Sequence, residues 1–260
     1  MRGDRIGRRW KITGCLFVIW LAAIGMAGGA QTLDSADAVL DAIDRNAEGI
    51  ADYTATIFVD VYSGEGQITL TQRIDLSLLQ PNKMKQVFRE PEYFAGNVTL
   101  IVGDSMWTYI AAIDTWYTKD LSELSAAEQP WLFFRQILRD SDSEFADYVF
   151  KLLSVEDTVY LLRGEAAADD SAYGIVELWV SEETFLPVRR RLYDVDGALL
   201  VDARITAVEQ INEIAYVAIR VETFDDAGIL RSVIRYEDVR LNQGLDVALF
   251  APPETGETGD

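Results

Sequence analysis

The chain reads as a mainly β protein of the α+β class: a strongly curved antiparallel sheet or unclosed β-barrel, with one N-terminal helix and one helical insertion. Three observations lead there. Apolar and polar residues alternate at period two through most of residues 52–241. Turn-forming clusters such as Gly64-Glu65-Gly66, Gly103-Asp104-Ser105 and Asp194-Val195-Asp196-Gly197 punctuate the runs. Helical periodicity is confined to a segment after Asp34 and another within residues 119–146.

In chain order, residues 1–30 stand apart. Arg2, Arg5, Arg8, Arg9 and Lys11 precede an apolar run from Cys15 to Ala27, and Gly28-Gly29-Ala30 supplies small residues for cleavage. This is the pattern of a secretory signal, with Gln31 as the mature start and the periplasm as destination. An uncleaved anchor at residues 12–30 is the alternative, but the run is short against the ~20 residues a spanning helix needs. Ile12-Thr13-Gly14-Cys15 resembles a lipoprotein box but stands before the apolar run, where such a box does not belong. One domain is expected over residues 31–252, and residues 253–260 read as a flexible tail.

Asp34-Ser35 caps a helix of about fifteen residues, with Val39, Leu40, Ile43, Ala47 and Ile50 as its apolar stripe. Tyr53, Ala55, Ile57, Val59 and Val61 then share one face of a strand, as do Ile68, Leu70, Ile74, Leu76 and Leu78 of the next. Strands follow at 83–90, 97–103 and 106–113, and a short aromatic one at 114–118. Within 119–146, Leu121–Glu128 fits one or two helical turns, and Pro130 opens a second helix. Its apolar face holds Trp131, Phe134 and Ile137, with Phe133 beside them. Strands resume at 146–155, 158–163, across the meander 173–205, and at 215–224 and 229–241. That makes ten to twelve strands. So long a sheet must curl, and an ordinary sandwich with its apolar faces together remains the competing architecture.

Composition narrows the chemistry. There is no histidine, and Cys15 is the only cysteine. Residues 31–260 therefore lack thiol nucleophiles, histidine bases, disulfides, and zinc sites built on His or Cys. No cofactor or metal is expected, and the weight moves from catalysis to binding. The net charge is −20, or −24 without residues 1–30. A surface this acidic repels nucleic acid at long range, and the chain is expected to be monomeric.

Four segments resemble a known family. Pro81-Asn82-Lys83-Met84 with Phe88-Arg89-Glu90-Pro91 is similar to an early strand of the periplasmic lipoprotein carriers, and Gly103-Asp104-Ser105-Met106-Trp107-Thr108-Tyr109 to their hairpin. Leu178-Trp179-Val180 through Gly197 resembles their late meander, and Asn242-Gln243-Gly244 leading to Phe250-Ala251-Pro252-Pro253 their ending. Together they span most of residues 35–255 in family order and resemble the LolA-type, outer-membrane lipoprotein-sorting superfamily. The resemblance implies an unclosed barrel of about eleven strands with a helical lid. It implies a cavity for lipoprotein acyl chains or lipid, no catalysis, and exchange with an inner-membrane transporter and an outer-membrane receptor. The alternative function for the same fold is a sensor or scaffold that binds an envelope protein or reports mislocalised lipoproteins. A carboxylate-based hydrolase is a third reading, but no acidic pair stands out from the acidic background.

Candidate cavity and lid residues are Trp131, Phe133, Phe134, Ile137, Trp107, Tyr109, Trp179 and Arg190. Each aromatic also has a plain core reading. Arg190 shares a face with Val188 and Leu192, so the alternation aims it at the dry side. There it would hold a lid loop or lipid headgroup; the reading weighed ahead of this is an edge position snorkelling to water. Arg73 falls on a polar face, so the inward arginine latch of the family's early strands is not carried over. Asp194, Asp196 and Gly197 read as a hairpin turn rather than a calcium loop. Asp202, Arg204, Arg220 and Glu222 are expected to pair across neighbouring strands.

Overall fold

The computed structural model describes residues 33–121, 148–167, 171 and 173–253. The chain divides after Gln31 into two units, and the described residues all fall in the second. The signal reading of 1–30, most of the helical insertion with Trp131, Phe133, Phe134 and Ile137, and most of the 253–260 tail lie outside the described residues.

A helix, α1 (Ala36–Glu48), precedes thirteen strands. These are β1 (Asp52–Tyr62), β2 (Ile68–Leu79), β3 (Lys83–Glu90), β4 (Val98–Val102), β5 (Ser105–Ile110), β6 (Thr115–Asp120), β7 (Tyr148–Glu156), β8 (Val159–Ala166), β9 (Ile175–Ser181), β10 (Pro187–Tyr193), β11 (Leu199–Ile211), β12 (Ala215–Phe224) and β13 (Leu230–Leu241). They form one antiparallel sheet in the order β6-β5-β4-β3-β2-β1-β13-β12-β11-β10-β9-β8-β7. Among the described strands the sheet is not closed into a barrel, and β6 and β7 are its two edges. A single sheet replaces the competing sandwich. The thirteen strands among the described residues exceed the ten to twelve expected; the aromatic strand expected at 114–118 is β6, which pairs with β5 along its length from Ser105↔Asp120 to Ile110↔Thr115.

The local causes are legible. Ser35 caps α1 by accepting from the Ala38 N–H at 3.2 Å, and Asp37 sits in the acidic first turn. The Asp194–Ala198 connection is a hairpin turn: Asp194 Oδ1 accepts from the N–H groups of Asp196 and Ala198, and Gly197 takes φ +82°. At the start of β1, Asp52 is buried, and its carboxylate accepts from the N–H groups of Gln243, Gly244 and Leu245. Asn242 bonds Gly49 and Ala51 beside it. These contacts tie the end of β13 to the entry of β1, which gives the Asn242-Gln243-Gly244 landmark a structural role. Phe250, in the short 3-10 helix Val247–Phe250, is buried in the part of the chain that meets β3 and β4.

Buried side chains form two clusters on the same face of the sheet, here the inner face. One is built on β1–β5 with β11–β13, from Tyr53, Ile57, Leu76, Leu78, Met84 and Ile101 among others. The second joins Ala36 and Val39 of α1 to Tyr160, Leu162, Val176, Leu178, Val180 and Leu192.

Candidate functional site

The inner face is assembled by register. Leu241, Tyr53, Leu78, Met84, Ile101 and Met106 oppose one another in a row across six adjacent strands. A second row runs Ala55–Leu76–Gln86–Thr99 and a third Tyr236–Ile57–Ile74–Phe88. Period-two alternation puts each row on one side of the pleat. Gln86 and Thr99 are buried polar residues within this apolar wall. Burial pushes the Tyr53 hydroxyl far above its usual range, reinforced by the neighbouring Tyr236, which burial raises as well. Both rings therefore stay protonated at physiological pH.

α1 lies over the β8–β12 side. At its start the Leu33 N–H donates to the Tyr160 hydroxyl at 3.0 Å. Near its end, Asn46 Nδ2 donates to the Tyr216 carbonyl and Asn46 Oδ1 accepts from the Tyr216 N–H. The apolar stripe expected from the sequence turns slightly: Ala36, Val39 and Ala42 are the buried positions, while Leu40 and Ile43 pack from its flank. Among the described residues, no helix plays this part over the β1–β5 side.

Arg190 stands on the inner face, 4% exposed, directly opposite Leu178 and Ala203. The edge-position reading is corrected: β10 is paired on both sides, by β9 and β11, so Arg190 has no sheet edge from which to reach water. Trp107, Tyr109 and Trp179 fall on the other, outer face. Met106 points inward, so the pleat turns Trp107 outward, opposite Leu100. Tyr109 packs against Trp116 with its ring tilted by 39° and centroids 5.1 Å apart, and it donates to Asp114 Oδ1 at 2.6 Å. Trp179 lies between inward Leu178 and Val180 and carries the Arg189 and Arg191 guanidinium groups at 4.9 and 5.5 Å from its centroid. Arg73 also faces outward and pairs with Glu90 at 3.2 Å.

On that outer face Asp202 accepts from Arg189, Arg204 and Arg191 at 2.6, 2.9 and 3.5 Å. Burial alone would raise its carboxyl, but hydrogen bonds from Arg189 and Arg204, with their charges, hold it far below the usual carboxylate range. Arg204 thus pairs along its own strand, as Arg220 does with Glu222 at 3.0 Å, and the strand-to-strand contacts of Asp202 are with Arg189 and Arg191 of β10. This corrects the expected pattern. Tyr53, Ala55, Ile57, Ile74, Leu76 and Leu78 stand on the shared faces expected for β1 and β2, whereas no face was expected for Met84, Ile101 or Met106, which complete the row. The signal that marks them is their position in one pleat phase, which large aromatics elsewhere obscured.

An open antiparallel sheet with an apolar inner face and a helix laid over part of it is a fold that the chain shares with several solved proteins. The chain is similar to a protein described as an outer membrane lipoprotein-sorting protein domain, from Vibrio parahaemolyticus, at TM-score 0.66 and 19% identity over 82% of this chain and 94% of that one. A DUF1329 family protein from Desulfovibrio piger gives 0.68 and 18% over 84% and 98%. A LolA superfamily protein from Nitrosomonas europaea gives 0.63 and 19% over 85% and 99%. No curated protein matches. A family model described as "Uncharacterized protein" matches residues 81–254, more than half of the chain, and the chain belongs to that family.

Proposed function

We propose that the protein is a non-catalytic carrier, exported to the periplasm, that shelters acyl chains of lipoproteins or lipids against the inner face of its sheet during transfer toward the outer membrane. The observation that carries this reading is the continuous apolar row from Leu241 to Met106, on a sheet that is not closed. An exposed methylene costs ~0.8 kcal/mol in water, so an acyl chain needs such a wall to cross an aqueous compartment. Chain connectivity adds support: residues 121–147 join β6 to β7, the two edges of the sheet. In this proposal Trp131, Phe133, Phe134 and Ile137 of that segment form a movable cover. Arg190, the buried cation of the inner face, holds the anionic headgroup end of the cargo. An inner-membrane transporter and an outer-membrane receptor would supply and accept the cargo, and the carrier itself is a monomer.

The test is uptake of a fluorescent fatty-acid probe. The wild-type chain is expected to bind it saturably. Phe134→Glu is expected to weaken binding by about tenfold, since a carboxylate against an acyl chain costs more than one lost methylene. Arg190→Gln is expected to weaken a fatty acid more than its methyl ester. No uptake by the wild-type chain, or equal uptake by all three, would count against the proposal.

A further inference from the structure

We infer that the outer face of β7–β13 is a docking surface for an anionic phospholipid bilayer. Register aligns two rows there: Lys151–Arg163–Glu177–Arg191–Asp202–Phe224 and Leu161–Trp179–Arg189–Arg204–Glu222. Arg220 and Arg235 continue the cations toward β1, where Arg235 pairs with Asp60 at 2.7 Å. Counting Glu165 at the border, the two rows with Arg220, Arg235 and Asp60 hold seven cations and five carboxylates; Arg231 with Asp225, and Glu237 on the same phase of β13, bring this to eight and seven, a patch near neutrality on a chain of net charge −20.

The layering within the pairs matters more than the count. The side chains of Arg189, Arg191 and Arg204 are 27%, 32% and 40% exposed, above an Asp202 that is 4% exposed. Arg163 stands 37% exposed over Glu177 at 13%, and Arg235 36% over Asp60 at 9%. Asp202, Glu177 and Asp60 form a lower layer beneath their arginines, so the surface offers N–H donors outward there; Glu165 at the border, 59% exposed beside Arg163, is the exception. Trp179 and Phe224 hold these arginines in place from beneath, with Arg204 4.2 Å from the Phe224 centroid.

Apolar side chains adjoin the cations at the sheet edge. Val149 and Leu153 of β7 are 60% and 52% exposed. An acidic protein segment would match the guanidinium groups but would gain nothing from isolated aliphatic side chains at the margin. The headgroup layer of a bilayer takes both, phosphates on the arginines and the aliphatic side chains just below. That combination selects the bilayer over an acidic polypeptide.

The experiment is flotation of the protein, purified from its host, with phosphatidylcholine vesicles containing either no or about 30 mol% phosphatidylglycerol. Binding is expected only to the anionic vesicles and is expected to vanish near ~0.5 M salt. Lys151→Gln and Arg204→Gln should each weaken it by about fivefold, and Leu153→Ser should weaken it without changing its salt dependence. Circular dichroism and fatty-acid probe uptake should be unchanged in all three variants, which separates this surface from the inner-face proposal. Equal binding to both vesicle types, no binding to either, or full binding by the variants would overturn the inference. So would capture on immobilised polyglutamate without vesicle binding, since the partner would then be an acidic protein.

Discussion

Asp202 accepts from three arginines on two strands. In the folded state its carboxyl titrates well below the range of an unfolded aspartate, near 3.9. The stabilisation is therefore complete above about pH 4 and is lost as pH falls below that value toward the folded one. Asp202→Asn is expected to cost about 2 kcal/mol at neutral pH, the scale of charged hydrogen bonds lost by a buried carboxylate whose arginine partners reach water. Chemical denaturation at several pH values checks this: wild type and variant should converge in strong acid, and a constant gap would contradict the assignment. At this scale the sequence was legible where pleat phase alone decides. Arg190 was read as inward from Val188 and Leu192, and so it stands. Its rejection of the edge role was not legible, because strand order depends on long-range pairing that one sequence does not display. Trp107 and Trp179 misled for a related reason: their size argues for burial, but a neighbour (Met106, Leu178) already occupies the inward phase.

Among the elements, β7 shows how a small residue fits an edge strand to the sheet. Gly164 of β8 pairs with Phe150, whose ring occupies the space a side chain would need; a Cβ there would come within 2.6 Å of it. Gly164→Ala is expected to destabilise by about 1–3 kcal/mol through overpacking. A thermal melt measures this, and the double variant Gly164→Ala/Phe150→Leu should recover part of the loss. An unchanged melting temperature in the single variant would show that Phe150 moves aside freely. Most elements were readable in advance, since alternation, turn clusters and the Ser35 cap are local signals. The pairing of β1 with β13, which brings the two ends of the domain together, was not. It rests on contacts such as Asp52 with Gln243 and Gly244, nearly two hundred positions apart in the chain.

For the whole molecule, charge and apolarity are divided between the two faces of one sheet. The inner face gathers the two clusters of Leu, Ile, Val, Tyr and Met, and the outer face the arginine layer. Strand number pointed to a sheet that must curl but left an ordinary sandwich open, because only the long-range pairing order decides between them. The side on which ligand would lie was legible only as a dry face, and α1 covering its β8–β12 part is what distinguishes one region from the other. The central claim is that the remaining apolar wall holds acyl chains. Native mass spectrometry of the protein purified from its host tests that claim most directly. A population heavier than the polypeptide by the mass of a lipid or acylated peptide, released on activation and absent after delipidation, is the expected result. A single apo mass under gentle conditions, which stays unshifted after incubation with excess diacyl lipid, would contradict it.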